Sequence, residues 1–178
     1  MRAPTISTIP AGTIVAYAGA NLPDGWLWCN GQVYNSKTSP DYNNLALAIG
    51  THWGSGDGTD GSLNVPDLRG VFLRGVDGNA GRDPDNAASG NNGDDGKRFS
   101  VYNGGNSGNA VGSYQRDQFR SHAHGISPNH NFMDNDVNTN SVSGGGGVIY
   151  HRQQISILAS GGSETRPINA YVNYIIKY

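Results

Sequence analysis

The sequence predicts a mostly β fold with one short α-helix, an α+β arrangement carrying long Gly/Asn-rich loops. Three observations point there. Short runs of β-branched and aromatic residues are bounded by turn residues. One stretch only carries apolar residues at helical spacing between a start signal and a stop signal. Glycine accounts for 27 of 178 residues, about twice the usual share of roughly 7%, and with no Gly-X-Y period, which excludes collagen.

Taken in order, Thr13 to Ala18 (TIVAYA) and Trp26 to Cys29 read as strands joined by an Asn-Leu-Pro-Asp-Gly turn. The helix is expected from Pro40 to Ile49. Ser39 is placed to cap it, Pro40 suits the first helical position and Gly50 suits the stop. Tyr42, Leu45, Ala46 and Ile49 then share one face. Val71 to Arg74 (VFLR) reads as a further strand. From Val76 to Ser113, Gly, Asn, Asp and Ser make up 25 of 38 residues, and Asn129 to Gly147 is similar. Polar segments of this length inside a domain are functional loops or disordered ones. Order is expected again at Ile155 to Ala159, and Ala170 to Lys177 (AYVNYIIK) reads as a C-terminal strand tied into a sheet.

Hydrophobic residues are 35% of the chain and charged residues 15%, so the buried core is modest and much irregular backbone is on display. Ordering such loops is entropically costly, and association with other chains would help hold them. A net charge of −2 argues against a broad nucleic-acid footprint. No Lys/Arg run suggests an anionic membrane partner, no segment approaches the roughly 18 apolar residues of a membrane span, and no signal peptide is visible at the start. Cys29 is alone, which excludes an internal disulfide and fits synthesis in a reducing cytosol.

Five motifs in order carry a resemblance: Gly12-Thr13-Ile14, Pro23 to Gly31 (PDGWLWCNG), Ile49-Gly50, Gly56-Asp57-Gly58 and Pro66 to Gly70 (PDLRG). With them the chain resembles the phage tail collar domain of T-even-type tail fibres and of related injection-system and bacteriocin fibres. Gly112 to Gly125 is similar to the segment that enters the distal part of those fibres, and Gly161 to Tyr178 to their C-terminal strand. The resemblance implies an intertwined homotrimer, the receptor-binding tip of a phage-type tail fibre that attaches a particle to cell-surface glycans or proteins. It implies a virion or phage-like particle as location, after synthesis in the bacterial cytoplasm, with no nucleic acid bound and no membrane insertion. Residues 1–11 are expected as a stub joining a fibre shaft, 12–75 as the collar and 76–178 as a loop-rich distal tip. A free-standing trimeric lectin-like adhesin on the same fold is the alternative.

His122 and His124 form the sharpest constellation. In an extended chain their side chains share a face, so one strand aims two imidazoles at one point. A monomer would supply half a tetrahedral zinc site, whereas three strands about a threefold axis would supply six nitrogens. Six-coordination by imidazole makes iron(II) the preferred structural metal, with zinc as the other candidate, and the resemblance implies histidine pairs of this kind holding metal between chains. His130 lacks the His-x-His pattern. Asp67 and Arg69 are expected to hold a turn. The Asp57 and Asp77 loops lack EF-hand spacing and are expected to be ordinary turns. Trp26 and Cys29 are expected in the core, while Trp28 and Trp53 stay open between core and sugar platform. No H-E-x-x-H supports a zinc hydrolase, and the chain is not expected to be an enzyme. Receptor contacts belong on the loops, where Tyr102, Tyr150, His151 and Arg152 have the aromatic and polar character that sugars use.

Overall fold

The computed structural model describes residues 9–88, 96–121 and 166–178. It divides into two compact units, one of Met1–Gln118 with Arg166–Tyr178 and one of Phe119–Thr165. Every helix and strand among the described residues belongs to the first unit.

The fold is mostly β with one short helix, as the sequence predicts. Strands β1 (Ile14–Tyr17), β2 (Trp26–Trp28), β3 (Val33–Asn35), β4 (Ser62–Asn64) and β5 (Asn173–Lys177) flank helix α1 (Asn43–Ile49), which a single 3₁₀ turn at Pro40–Tyr42 leads into. β1 and β2 do not pair with each other. β5, at the far end of the chain, lies between them and is antiparallel to both. The register sets Ile14 and Leu27 on either side of Ile176, so one face of the sheet presents three apolar side chains in a row. Leu27 and Ile176 are buried there with Cys29, Leu45, Ile49, Leu63, Val65 and Leu68. On the opposite face Val15 and Trp28 flank Ile175, which is also buried.

β3 and β4 form a second, two-stranded sheet that the sequence reading missed, since SLN has no strand-like composition. All three residues of β4 are buried, and the polar ones are satisfied. Asn64 accepts from the Gly56 N–H (2.8 Å) and donates to the Gly31 carbonyl (2.9 Å), and Ser62 Oγ accepts from the Asp57 N–H (3.1 Å). Buried polar groups that keep such partners avoid a desolvation cost of roughly 1–3 kcal/mol each.

Helix α1 buries Leu45 and Ile49, with Tyr42 and Ala46 packed against the same core. Gly50 stops it at φ +50°, donating to the Ala46 carbonyl at 2.9 Å. The start departs from expectation, because the Ser39 side chain makes no capping bond and the turn is closed through its carbonyl, which accepts from Tyr42 N–H at 3.1 Å. Tyr42 also joins an edge-to-face chain of rings, with Tyr34 at 4.9 Å and Tyr178 at 5.3 Å, so the last residue of the chain is tied to the helix.

Three further expectations are corrected. Val71 to Arg74 is not a strand: among the described residues its backbone makes no hydrogen bond, and Val71, Phe72 and Leu73 stay exposed. The C-terminal strand begins at Asn173, so Ala170 to Val172 stand outside the sheet. Trp26 is half-exposed, because the alternation of β2 puts Leu27 and Cys29 inward. The expected order at Ile155 to Ala159 lies outside the described residues. No helix among the described residues is long and apolar enough to cross a membrane.

Candidate functional site

The polar region after the collar motifs is where a recognition surface was expected, and its described part is built on the collar. Asp67 of the PDLRG turn is the anchor. Its carboxylate receives Arg69 in two bonds, Nε to Oδ1 at 2.8 Å and a terminal nitrogen to Oδ2 at 2.6 Å. The Tyr102 hydroxyl donates to Oδ2 at 3.2 Å, and the Tyr114 hydroxyl donates to the Asp67 carbonyl at 2.9 Å while accepting from its N–H at 3.0 Å. The turn role expected for Asp67 and Arg69 is therefore met, and the same residue also seats two aromatic side chains of the distal loop. Hydrogen bonds from Arg69 hold the Asp67 carboxyl below its usual range, with burial opposing. Burial pushes Tyr114 up to about 12, so both groups keep one protonation state at neutral pH.

Further bonds stitch loop to collar. Ser55 N–H donates to the Asn103 carbonyl at 2.9 Å and Asn106 N–H to the His52 carbonyl at 2.8 Å. Trp53 stands edge-on to Tyr114, centroids 5.9 Å apart, so it packs the loop's underside. Trp28 lies 6.3 Å from the Tyr17 ring. Gly31 is required in this seam: at φ +78° any side chain would be strained, and a Cβ would collide with the Tyr102 hydroxyl.

Within the loop, Asp83 is 6% exposed and faces two cations, Arg98 at 3.3 Å and Arg74 at 3.6 Å. Arg98 also donates to the Ser113 side chain (2.8 Å) and carbonyl (3.1 Å) and to Gln115 (3.3 Å). Asp77 collects backbone N–H groups from Gly81, Arg82 and Asp83, and the Arg82 bond leads in pulling its carboxyl below the ordinary value. Asp57 does the same around Thr59 and is brought down to about 2, chiefly by the Thr59 hydroxyl. Both loops are thus turns closed by a carboxylate, as expected. The reading from sequence missed Asp83, Arg98 and Tyr114, whose partners lie far along the chain; only the Asp77-Gly-Asn signature was visible locally.

Beside this network a groove of about 390 Å³ opens between Val71–Arg74 and the 110–115 stretch, floored by Trp53 and Leu68. Cys29 is buried in the core, its thiol pushed up to about 12 by burial and then by the Asp67 charge, which leaves no thiolate for nucleophilic chemistry.

Of the sequence-derived site residues, the structure places only Tyr102, half-buried with its hydroxyl on Asp67. His122, His124, Tyr150, His151 and Arg152 lie outside the described residues, as does His130. Among the described residues no group of three His, Cys, Asp or Glu is placed to hold a metal.

Residues 12–73 match the family model described as Phage Tail Collar Domain. Protein RhiB of Rhizobium leguminosarum bv. viciae is 32% identical over 163 residues, covering 86% of this chain and 64% of RhiB. StfE of Escherichia coli K12 is 26% identical, covering 96% of this chain and 89% of its own length. The short tail fiber protein gp12 of Enterobacteria phage T4 is 32% identical over 198 residues, covering 96% of this chain but 35% of gp12. The chain thus spans just under two thirds of RhiB and about a third of gp12.

Proposed function

Because residues 12–73 of this chain are a phage tail collar domain, we propose that it is a phage-type tail fibre protein, the receptor-binding tip of a homotrimeric fibre. The observation that carries this reading is the alignment of 96% of the chain with a short tail fibre protein. The collar supplies a rigid base, since its core is made of buried aliphatic residues and its sheet is closed by the C-terminal strand. Loops seated on such a base are where recognition residues concentrate. The partner is a cell-surface glycan or protein, and binding is multivalent: three linked weak sites can exceed one by roughly 10²–10⁴. Tyr150, His151 and Arg152 are proposed for the contact, and Tyr102 for holding the loop to the collar.

His122 and His124 are proposed as ligands of a structural metal shared by three chains. Their imidazole donors suit iron(II), or zinc in a smaller shell, and a fully ligated ion would bind chains together without offering an open position for substrate. The family is structural, and no catalytic role is assigned.

Labelled full-length protein incubated with bacterial cells tests the attachment reading. Saturable binding that competes with particle adsorption is expected, together with a solution mass of three chains and one metal per trimer. Absence of binding to any cell surface carrying the particle's receptor would sink it. A free-standing adhesin would instead bind cells without any particle to compete with.

A further inference from the structure

Trp28 belongs neither to the collar's main core nor to the seam that holds the loop. Strand alternation turns Tyr17, Trp28, Asn173 and Ile175 toward the sheet face opposite that core. There Ile175 is 2% exposed, and the half-buried Tyr17 and Trp28 rings stand on the strands either side of it, centroids 6.3 Å apart. Shielding Ile175 accounts for an apolar ring at position 28. It does not account for the indole N–H, which no group among the described residues accepts, whereas a tryptophan N–H taken out of water usually finds a partner.

Trp28 also lines a crevice of about 260 Å³ with Asn30, Arg69, Gly70 and Asn173. An antiparallel bridge between Asn30 and Asp67 brings the chain just after β2 beside the PDLRG turn. Each polar side chain of the crevice is anchored at one edge and, among the described residues, open at another. Asn30 Oδ1 accepts from the Gln32 N–H at 3.1 Å, which leaves its amide N–H groups open. Asn173 donates to the Gly19 carbonyl at 3.0 Å, which leaves its side-chain oxygen open. Arg69 gives Nε and one terminal nitrogen to Asp67, so its other terminal nitrogen is open on a side chain 71% exposed.

We propose that this crevice of the collar, walled by Trp28, Asn30, Arg69 and Asn173, binds a single neutral pyranose sugar. The proposal rests on the attachment reading for where such a sugar is met, and it adds a contact on the collar, apart from the loop residues. Sugar hydroxyls both donate and accept. The crevice offers N–H donors from Trp28, Asn30 and Arg69 and an acceptor in the Asn173 oxygen. A pyranose also carries an apolar face of C–H groups, which suits an indole ring. The bonds that anchor Asn30, Asn173 and Arg69 orient them before any ligand arrives, which lowers the ordering cost of binding. Charge favours a neutral ligand, because the Arg69 guanidinium is already matched by Asp67. Volume limits the ligand to one ring, since pockets for larger molecules run from about 300 Å³ to 1,000 Å³.

Magnetic resonance of the indole N–H signals of the full chain tests this, since Trp26, Trp28 and Trp53 are its three tryptophans. The probes are the methyl glycosides of glucose, galactose, mannose and N-acetylglucosamine, with sorbitol as a polyol that lacks the ring. At least one glycoside at millimolar concentration is expected to move the Trp28 signal saturably, while the Trp26 and Trp53 signals and the sorbitol control stay still. Trp28→Phe, which identifies the signal by its loss, and Asn30→Ala are each expected to weaken binding of that glycoside about tenfold in calorimetry. A Trp28 signal unmoved by all four glycosides would overturn the proposal whether or not the variants fold, and so would an equal response to sorbitol. Unchanged affinity in a folded Asn30→Ala chain would overturn it too. Cell attachment by a chain whose Trp28 signal stays still strikes this proposal alone, whereas glycoside binding without cell attachment strikes the attachment reading alone.

Discussion

The collar core and the distal loop from Asp77 to Gln115 are held together by different forces. In the collar, buried aliphatic residues and a central β5 ladder dominate, and the buried Asn64 and Ser62 side chains are paired with backbone. In the loop, carboxylates do most of the holding: Asp77 closes its own turn, Asp83 gathers two arginines, and Asp67 seats two tyrosines. A base made by burial tolerates changes of pH and salt, whereas a loop made by charge does not.

The comparison breaks most completely if β5 is removed. Deleting residues 173–178 takes out the middle strand of a three-stranded sheet and with it buried Ile175 and Ile176, so no folded collar is expected by circular dichroism. The milder Ile176→Ala should cost about 2–5 kcal/mol in urea unfolding and should expose Cys29 to thiol reagents that do not reach it in the native protein.

Asp83→Ala should act on the loop alone. It leaves Arg98 inside the loop without its carboxylate, and breaking a buried pair this way costs about 3–5 kcal/mol, less here because the half-exposed Arg74 can swing into solvent. Proteolysis within residues 77–98 should accelerate while Cys29 stays shielded; equal exposure of both would erase the distinction between the regions.

Acid should separate the regions next. Asp57, Asp67 and Asp77 all have folded-state values below the ordinary one. Their contribution is therefore present above the unfolded value near 4 and is lost as pH falls through the folded values, which for Asp57 is about 2. Amide exchange should show the Asp77 turn and the Tyr102–Asp67 seam loosening as pH falls below about 4, with the collar's Asp57 turn holding until about pH 2 and the β5 amides still protected. Smallest of all, Tyr102→Phe removes one hydrogen bond to Asp67 and should lower stability by about 0.5–1.5 kcal/mol, read as a small shift in the urea midpoint.

Elements whose signal is local were legible in the residues alone. β1, β2 and β5 showed in runs such as TIVAYA and VNYIIK, and α1 in its Gly50 stop and the face of Leu45 and Ile49, with Pro40 marking the 3₁₀ turn that leads into it. The carboxylate-closed turns at Asp57 and Asp77 were legible for the same reason, since their partners lie within a few residues. The collar motifs were legible because they are short and ordered.

Pairing was not legible. That β5 divides β1 from β2 joins residues about 160 positions apart, and strand composition says nothing about which strand will be the neighbour. β4 lacked any strand signature because its burial is imposed by surrounding loops, with Asn64 and Ser62 made tolerable by distant backbone. Asp83, Arg98 and Tyr114 looked like ordinary polar-loop residues until folding took them from water and set them against one another. Val71 to Leu73 is the reverse case: local preference said strand, and among the described residues the chain brought no partner to it. Residue types and short-range spacing determine which segments can be strand, helix or turn. Which of them meet, and which polar groups are thereby buried and must pair, is decided only when the whole chain closes on itself.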